Sequence, residues 1–394
     1  MRLSGIVERA VLTALIVGII FSIDLNSRAL YITFFVIMAL AVVVVIVNKS
    51  ILIPKNNTIN FIILSLLFVW SYGVIVGLLN GNNIVNIVSN FAGLLLYSLY
   101  YAFHVLRVDY IRIVKAVLLA SLISLFFGFV LGIYNIVFSE SLVSLINTRI
   151  IIFGNMMTYV IIYAWSLASL ISPSTLVDPF LQQLNLSKKK AVSLLIISML
   201  TIFFSWSKGF LLSMIVVTLI IFLLMYKRYL FRTITHKNVL YFFTAIIFLL
   251  PFIIFTGYID LFTSIFDKSD ISNQVRLYQL TYLINDLTLF GNGAGALIQG
   301  YGNNSYGVEM VYVNIVHKYG LISIFIFLGI ILTVAKILLK FRFSFLLMSI
   351  LFSFMMYLLP SLGNPILLAP LSVILHVVVL YTMSCLEKKP FIRV

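Results

Sequence analysis

The protein has 394 residues, 63% of them hydrophobic and 9% charged, and its mean hydropathy of +1.18 lies far above that of a soluble globular chain. This composition predicts an integral membrane protein. A single cysteine, Cys385, excludes an internal disulfide and cannot build a metal site alone, and the formal net charge of +15 has to be explained by where the basic residues lie.

Runs of about 17–25 apolar residues recur along the chain, and this is the length that a helix needs to cross roughly 30 Å of hydrocarbon. We predict an all-α fold, a polytopic bundle of about twelve transmembrane helices forming a single membrane domain, residues 1–394. No A-x-A-like cleavage site follows the first run, so a retained helix is predicted there and not a signal peptide. The predicted spans are residues 7–23, 29–47, 59–79, 84–103, 111–137, 148–172, 191–206, 209–226, 239–258, 310–335, 343–361 and 365–385.

The basic residues indicate how these helices are oriented. With the N-terminus in the cytoplasm, the inner loops hold 20 of the 26 Lys and Arg residues, which is the bias that orients helices during insertion. An even number of spans then places both termini in the cytoplasm. The positive charge is therefore explained by topology and not by nucleic-acid binding. Six basic residues fall on the outer side: Arg28, Arg149, Lys208, Lys268, Arg276 and Lys318.

One long outer loop, residues 258–309, separates the ninth and tenth predicted spans and contains five of the eleven carboxylates. Long loops in compact proteins are usually functional or disordered. This loop keeps an apolar pattern from Val275 to Asp286, which predicts a short amphipathic helix lying against the membrane surface. The residues predicted to line one side of it are Val275, Leu277, Leu280, Tyr282, Leu283 and Leu287.

Three outer cations have two possible roles each. Arg276 is either a surface residue paired with an acid such as Asp286, or a phosphate-binding residue whose guanidinium group offers five N–H donors. Lys208 and Arg149 are either helix-end anchors at the membrane interface or anion-binding groups. If the three converge, they would form a site for an anionic lipid head group.

Two features follow in the loop and in the next helix. The glycines of "GNGAG" lack the preceding strand that a dinucleotide fingerprint requires, which leaves a plain turn or a turn whose amides bind an anion. Glu309 is either a carboxylate favoured at a helix start or a general acid or base. His317 lies eight residues later, about 80° around the helix. It is either a hydrogen-bonded residue at the membrane interface or a residue that lines one cleft together with Glu309.

These stretches follow one order along the chain. Arg276 is followed after about fifteen residues by the small-residue turn in "LFGNGAGA" and then by the helix "VEMVYVNIVHKYGLISIFIFL". "RIIIFGN", which begins at Arg149, and "SWSKGFLLSM", which contains Lys208, precede them. In a multi-helix membrane chain, this arrangement resembles the O-antigen polymerase and O-antigen ligase superfamily of bacterial envelope enzymes. The specific motif covers residues 276–321.

The resemblance implies a GT-C-like fold and a glycosyltransferase that needs no metal or other cofactor. It would move a glycan from undecaprenyl pyrophosphate to a sugar hydroxyl of another lipid-linked repeat unit, on the outer face of the cytoplasmic (inner) membrane of a bacterium. Arg276 would stabilise the pyrophosphate leaving group, and Glu309 would act as the general base. The substrate-binding residues would be Lys208, Arg149, Asn314, His317 and Tyr278.

Two departures from the family pattern bear on the exact activity. Lys208 stands where the family usually has arginine. Lysine keeps the positive charge but cannot form the paired hydrogen bonds of a guanidinium group. Ligases of the family are expected to have histidine eleven residues before the glycine that is Gly320 here, and this chain has Glu309. That difference favours a polymerase.

Several alternatives stay open on the sequence. One is the ligase that transfers polymer to the lipid A core. Another is a flippase or secondary transporter, although the unusual polar groups gather at the predicted outer edge and no matching halves are visible. The expected partners are the lipid-linked glycans and membrane lipids, with no nucleic acid, and binding of a chain-length regulator protein is left open.

Overall fold

The computed structural model describes residues 2–22, 28–48, 56–138, 156–171, 188–204, 207–225, 271–298, 308, 310–340, 345–358, 360–362 and 367–387. Arg149, Glu309 and the predicted span 239–258 lie outside these residues, as do residues 258–270 and 299–307 of the predicted long loop.

Within the described ranges the regular secondary structure is all helical and contains no strand, so the all-α prediction is confirmed there. Short 3₁₀ turns occupy Leu96–Ser98, Gly320–Ser323 and Pro360–Leu362. The α-helices are α1 (Arg2–Ile20), α2 (Arg28–Asn48), α3 (Asn57–Leu79), α4 (Ile84–Leu95), α5 (Leu99–Val105), α6 (Tyr110–Phe138), α7 (Met156–Ile171), α8 (Lys188–Phe204), α9 (Lys208–Met225), α10 (Ile271–Asn285), α11 (Val311–Tyr319), α12 (Ile324–Lys340), α13 (Phe345–Leu358) and α14 (Pro370–Glu387).

Five of the described segments are long and apolar enough to cross a membrane as helices: Arg28–Asn48, Asn57–Leu79, Tyr110–Tyr134, Val311–Lys340 and Pro370–Glu387. Twelve spans and the orientation of the termini stay predictions. Among the described residues, two predicted spans are interrupted. The predicted span 84–103 consists of α4, a 3₁₀ turn and α5, and the predicted span 310–335 breaks at Gly320.

The described residues group into two compact units, and two of the four boundaries between them along the chain fall within α6 and within α10. A single membrane domain over the whole chain stays a prediction. The first unit draws on Met1–Ala120, Tyr278–Arg342 and Ser361–Val394. In this unit α14 packs against α2, α4 and α5, and every side chain from Pro370 to Ser384 is buried, so α14 forms its core. α3 packs against α4, α11 and α12.

The second unit draws on Ser121–Leu277 and Phe343–Pro360. α7 packs against α8 and α13, and α9 packs against α13. Glycine allows α6 to approach its neighbours closely, because a Cβ on Gly128 would overlap the ring of Tyr159 and a Cβ on Gly132 would overlap the ring of Phe204. The side chain of Tyr159 is fully buried.

A hydrogen-bond network crosses the interior of the first unit. The fully buried ring of His376 has its Nδ1 2.8 Å from the hydroxyl of Tyr97 and its Nε2 2.8 Å from the hydroxyl of Thr333. The Thr333 hydroxyl donates its proton to the carbonyl oxygen of Gly329, so it accepts from Nε2–H of the imidazole. Nδ1 then accepts from Tyr97. Both ring nitrogens are therefore bonded, and the tautomer is fixed.

Charged groups gather at one end of the same unit. Glu387, the last residue of α14, accepts a hydrogen bond from Lys340 at 2.8 Å, lies 3.0 Å from Lys336 and contacts Asn56, the N-cap residue of α3. Because α3 begins where α12 and α14 end, it runs antiparallel to both. These three helix ends also lie on one side of the membrane in the predicted topology.

Candidate functional site

The apolar segment 311–340 is not one continuous helix. α11 ends at Tyr319, and Gly320 adopts φ 55° and ψ −137°, a conformation essentially restricted to glycine. A 3₁₀ turn follows before α12 begins at Ile324. A straight 30-residue helix would be about 45 Å long, well beyond the roughly 30 Å of a hydrocarbon core. The break at Gly320 divides the segment into the short helix α11 and the longer helix α12.

The glycine-containing loop closes this break with backbone hydrogen bonds. The last carbonyls of a helix have no partner within it. Here the amide of Asn292 donates to the carbonyl oxygen of His317 at 2.9 Å, and the amide of Gly293 donates to that of Lys318 at 2.9 Å. In return, the amide of Leu321 donates to the carbonyl oxygen of Leu289 at 3.0 Å. The loop is thus the C-terminal cap of α11, and it satisfies polar backbone groups that lipid could not.

Glycine is required in this loop for two physical reasons. Gly291 and Gly293 have φ angles of 75° and 79°, in the left-handed region that other residues rarely adopt. The loop also lies directly on the backbone of α3, where Gly73 and Gly77 form a G-x-x-x-G pair. The amide of Ala294 donates to the carbonyl oxygen of Gly73 at 2.7 Å, and a Cβ on Gly293 would overlap the backbone of Gly77. Small residues on both sides make this backbone-to-backbone contact possible.

These hydrogen bonds decide between the two interpretations of "GNGAG". The amides of Gly291–Ala294 all donate to backbone carbonyl oxygens, which belong to Thr288, His317, Lys318 and Gly73. They are not available to an anion, so the anion-binding interpretation is wrong for these four groups. The motif is a structural cap of α11, so the interpretation as a plain turn is incomplete as well.

An Asp–His pair fastens the end of α10 to the last turn of α11. The side chain of His317 is fully buried, and its Nε2 lies 2.8 Å from Oδ2 of Asp286, one residue after α10 ends. A carboxylate only accepts, so Nε2–H of the imidazole is the donor. The side-chain amide of Asn292 lies 2.9 Å from the same Nε2 and donates to the backbone oxygen of Asp286 at 2.8 Å. Nδ1 of His317 has no hydrogen-bond partner among the described residues.

Further side chains hold the loop against the end of α3. Asn82 donates to the carbonyl oxygens of Asn292 and Ala294 at 2.9 and 2.8 Å. The hydroxyl of Tyr72 donates to the carbonyl oxygen of Phe290 at 2.6 Å. The loop is therefore bonded through backbone and side chains to two helices, α3 and α11.

The residues implied by the resemblance are distributed over several elements. Arg276 lies on α10, is half-buried and donates to Oδ1 of Asn273 at 3.2 Å. Tyr278 lies two residues later with 62% of its surface exposed. Asn314 lies on α11, one turn before His317, and its Oδ1 is buried with no partner in the described part of the chain. Lys208 is the first residue of α9, and Arg149 and Glu309 lie outside the described residues.

One sequence prediction about α10 is wrong. A helix does form over the predicted stretch, but its fully buried residues are Gln279 and Leu283, whereas Leu277 is 64% exposed and Tyr282 is also exposed. Residues two apart point about 200° apart on a helix, so Val275 and Leu277 cannot share a face, and residues four apart such as Gln279 and Leu283 do. The buried face of α10 therefore includes the polar side chain of Gln279, which a hydropathy pattern does not predict.

Sequence reasoning also missed the partnership of Asp286, Asn292 and His317. These residues lie up to 31 positions apart, and no local pattern links them. The only signal was the density of polar residues near the end of α3, in "NGNN" at residues 80–83. No group of three or more His, Cys, Asp or Glu side chains suited to a metal ion occurs in the described ranges.

Comparison of the sequence with protein-family models gives no match, and comparison with curated protein sequences gives no significant match.

Proposed function

We propose that this protein is a membrane glycosyltransferase that polymerises undecaprenyl-pyrophosphate-linked oligosaccharide repeat units into O-antigen or capsular polysaccharide. The observation that carries the proposal is the continuity of one assembly: the helix bearing Arg276 leads into a glycine loop, and that loop caps the helix break at Gly320. The sequence resemblance to the polymerase and ligase superfamily rests on the same segment. The helical fold with five long apolar segments agrees with a membrane protein.

The reaction has a simple balance of bonds and charges. A hydroxyl of the acceptor sugar attacks the anomeric carbon of the donor, and its proton passes to Glu309. The bond from that carbon to the pyrophosphate oxygen breaks, and undecaprenyl pyrophosphate leaves with the negative charge. Arg276, with Lys208 and Arg149, stabilises that charge, because hydrogen bonds from cations to phosphate oxygens strengthen as the charge develops. The protein's part is to hold the cation and the base in place.

The first test compares the lipid-linked glycans of a host strain lacking this chain with those of strains expressing its variants. Arg276→Ala and Glu309→Gln should each leave single repeat units on the lipid and no long chains. Arg112→Ala is the matched control, because Arg112 forms an ion pair with Glu8 at 2.6 Å, at the end of the unit predicted to face the cytoplasm. Long chains of normal abundance in both variants would exclude the proposal. Long chains that remain on undecaprenyl pyrophosphate would instead identify a ligase.

A secondary transporter is the second candidate, favoured by the break in segment 311–340, since broken helices are common at transporter binding sites. Proteoliposomes separate the two. Purified protein that elongates lipid-linked repeat units extracted from the deletion strain is an enzyme. Movement of those lipids across the bilayer without elongation would support transport.

A further inference from the structure

The contacts around the helix break suggest a role for Asp286, and for His317 a role other than the substrate binding that the resemblance implies. Asp286 and His317 are joined at 2.8 Å, and one of the two, His317, is fully buried. Asp286 directly follows α10, the helix that carries Arg276, and His317 lies in the last turn of α11. The first turn of α11 begins two residues after Glu309.

We infer that Asp286 and His317 are positioning residues, which lock the C-terminal end of α10 to the last turn of α11. The reaction proposed above would depend on this lock, because α10 carries Arg276 and α11 follows Glu309 in the sequence. Neither residue is assigned contact with the reacting atoms. The catalytic part of this inference rests on the proposed function, whereas the locking part does not.

Three observations favour a lock over ordinary packing. The hydrogen bond joins a carboxylate to a buried N–H donor, which makes it stronger than a bond between neutral groups. Asn292 adds a second bond to the end of α10, because its side-chain amide donates to the backbone oxygen of Asp286. The next amides of the same loop cap the carbonyls of His317 and Lys318. The Asp286–His317 pair therefore lies next to the backbone hydrogen bonds by which the glycine loop caps α11.

The expected consequence is kinetic. A displacement of about 1 Å between catalytic groups can reduce a rate by roughly a hundredfold, while binding of a long lipid-linked glycan depends on many other contacts. Loss of the lock should therefore lower kcat much more than it raises KM. His317→Gln is the conservative variant, because the side-chain amide nitrogen of glutamine can replace Nε2–H as the donor to Asp286.

The experiment uses the full-length protein in proteoliposomes, with lipid-linked repeat units extracted from the deletion strain. His317→Ala and Asp286→Ala should each lower kcat about 10- to 100-fold with KM changed less than about threefold, and the double variant should be no worse than either single one. His317→Gln should recover most of kcat. His376→Ala is the matched control: it removes another fully buried histidine of the same unit and should unfold more easily while keeping the kcat of the folded protein.

Hydrogen exchange measures the lock without any reaction. Peptides covering residues 289–296 should exchange faster in His317→Ala and Asp286→Ala than in the parent or in His376→Ala. Unchanged exchange in these peptides would overturn the inference, as would a kcat in His317→Ala equal to that of the parent. If the parent protein elongates no glycan, the proposed function fails, and the exchange comparison still decides whether the lock exists.

Discussion

Gly293 and Gly77 lie so close together that a single methyl group on Gly293 would overlap the backbone nitrogen of Gly77. One glycine belongs to the loop that caps α11 and the other to α3, so this contact sets how deeply the loop sits on the helix. Two features meet at Gly293, a φ of 79° and the absence of space for a Cβ.

Replacing Gly293 by alanine should destabilise the protein strongly. The left-handed backbone costs about 1–2 kcal/mol for a residue with a Cβ, and overpacking costs about 1–3 kcal/mol more. Gly81→Ala is the control, because Gly81 has a similar φ of 71° and nothing within 4 Å of its would-be Cβ. Thermal unfolding in detergent should show a larger loss of Tm for Gly293→Ala. Equal losses would mean that backbone strain alone matters and that the close contact does not.

Two glycines inside helices should respond differently to replacement by alanine. A Cβ on Gly77 would overlap the carbonyl oxygen of Ala294, whereas on Gly329 its nearest neighbour would be a methyl group of Ile62 at 3.4 Å. Gly77→Ala should therefore cost about 1–3 kcal/mol through overpacking. Gly329→Ala should be neutral or stabilise by up to about 1 kcal/mol, since alanine is the better helix former. A Gly77→Ala protein as stable as the parent would show that the loop does not rest on α3.

The helices themselves were predictable because apolar length is a local property of the sequence. The run predicted as residues 29–47 forms a helix at Arg28–Asn48, and the run predicted as 59–79 forms one at Asn57–Leu79. The break at Gly320 was not predictable in the same way. The hydropathy of segment 311–340 is continuously high, and a lone glycine is tolerated within membrane helices. Only the distant loop at Leu289 and Gly291 makes that glycine a boundary.

The candidate site was predictable as a region and not as a set of contacts. Polar density singled out the glycine loop and the start of the next helix, and both belong to one assembly in the structure. His317 and Asp286 are 31 positions apart, and their hydrogen bond depends on how the chain between them folds, so neither spacing nor charge indicates it. The buried stripe of α10 was misplaced for two reasons: the predicted face did not follow the helical period, and Gln279 is buried by its neighbours and not by its own hydropathy.

The buried network at His376 predicts different costs for removing two tyrosine hydroxyls. Tyr97→Phe withdraws the hydrogen bond to Nδ1 of a fully buried imidazole, which should cost about 1–3 kcal/mol. Tyr72→Phe removes one bond to the carbonyl oxygen of Phe290, while the backbone and Asn82 bonds of the glycine loop remain, so the loss should be below about 1 kcal/mol. Chemical unfolding of both variants measures the difference. A Tyr72→Phe protein as unstable as Tyr97→Phe would contradict it.

Two lysines that share one carboxylate should differ in how much each stabilises the protein, because one is largely buried and the other is exposed. Lys336 and Lys340 both contact Glu387, but the Lys336 side chain is 14% exposed and that of Lys340 is 58% exposed. Lys340→Met should change stability by about 0–1 kcal/mol, because an exposed ion pair is weakened by water and by salt. Lys336→Met also removes the hydrogen bond to Asn56 and leaves a poorly solvated carboxylate with one partner fewer, so it should cost about 1–3 kcal/mol. Measured at 0.1 M and 1 M salt (on the order of a threefold change in screening length), the Lys336 effect should persist while the Lys340 effect fades. If both effects fade together, the Lys336 contact is as exposed to solvent ions as that of Lys340.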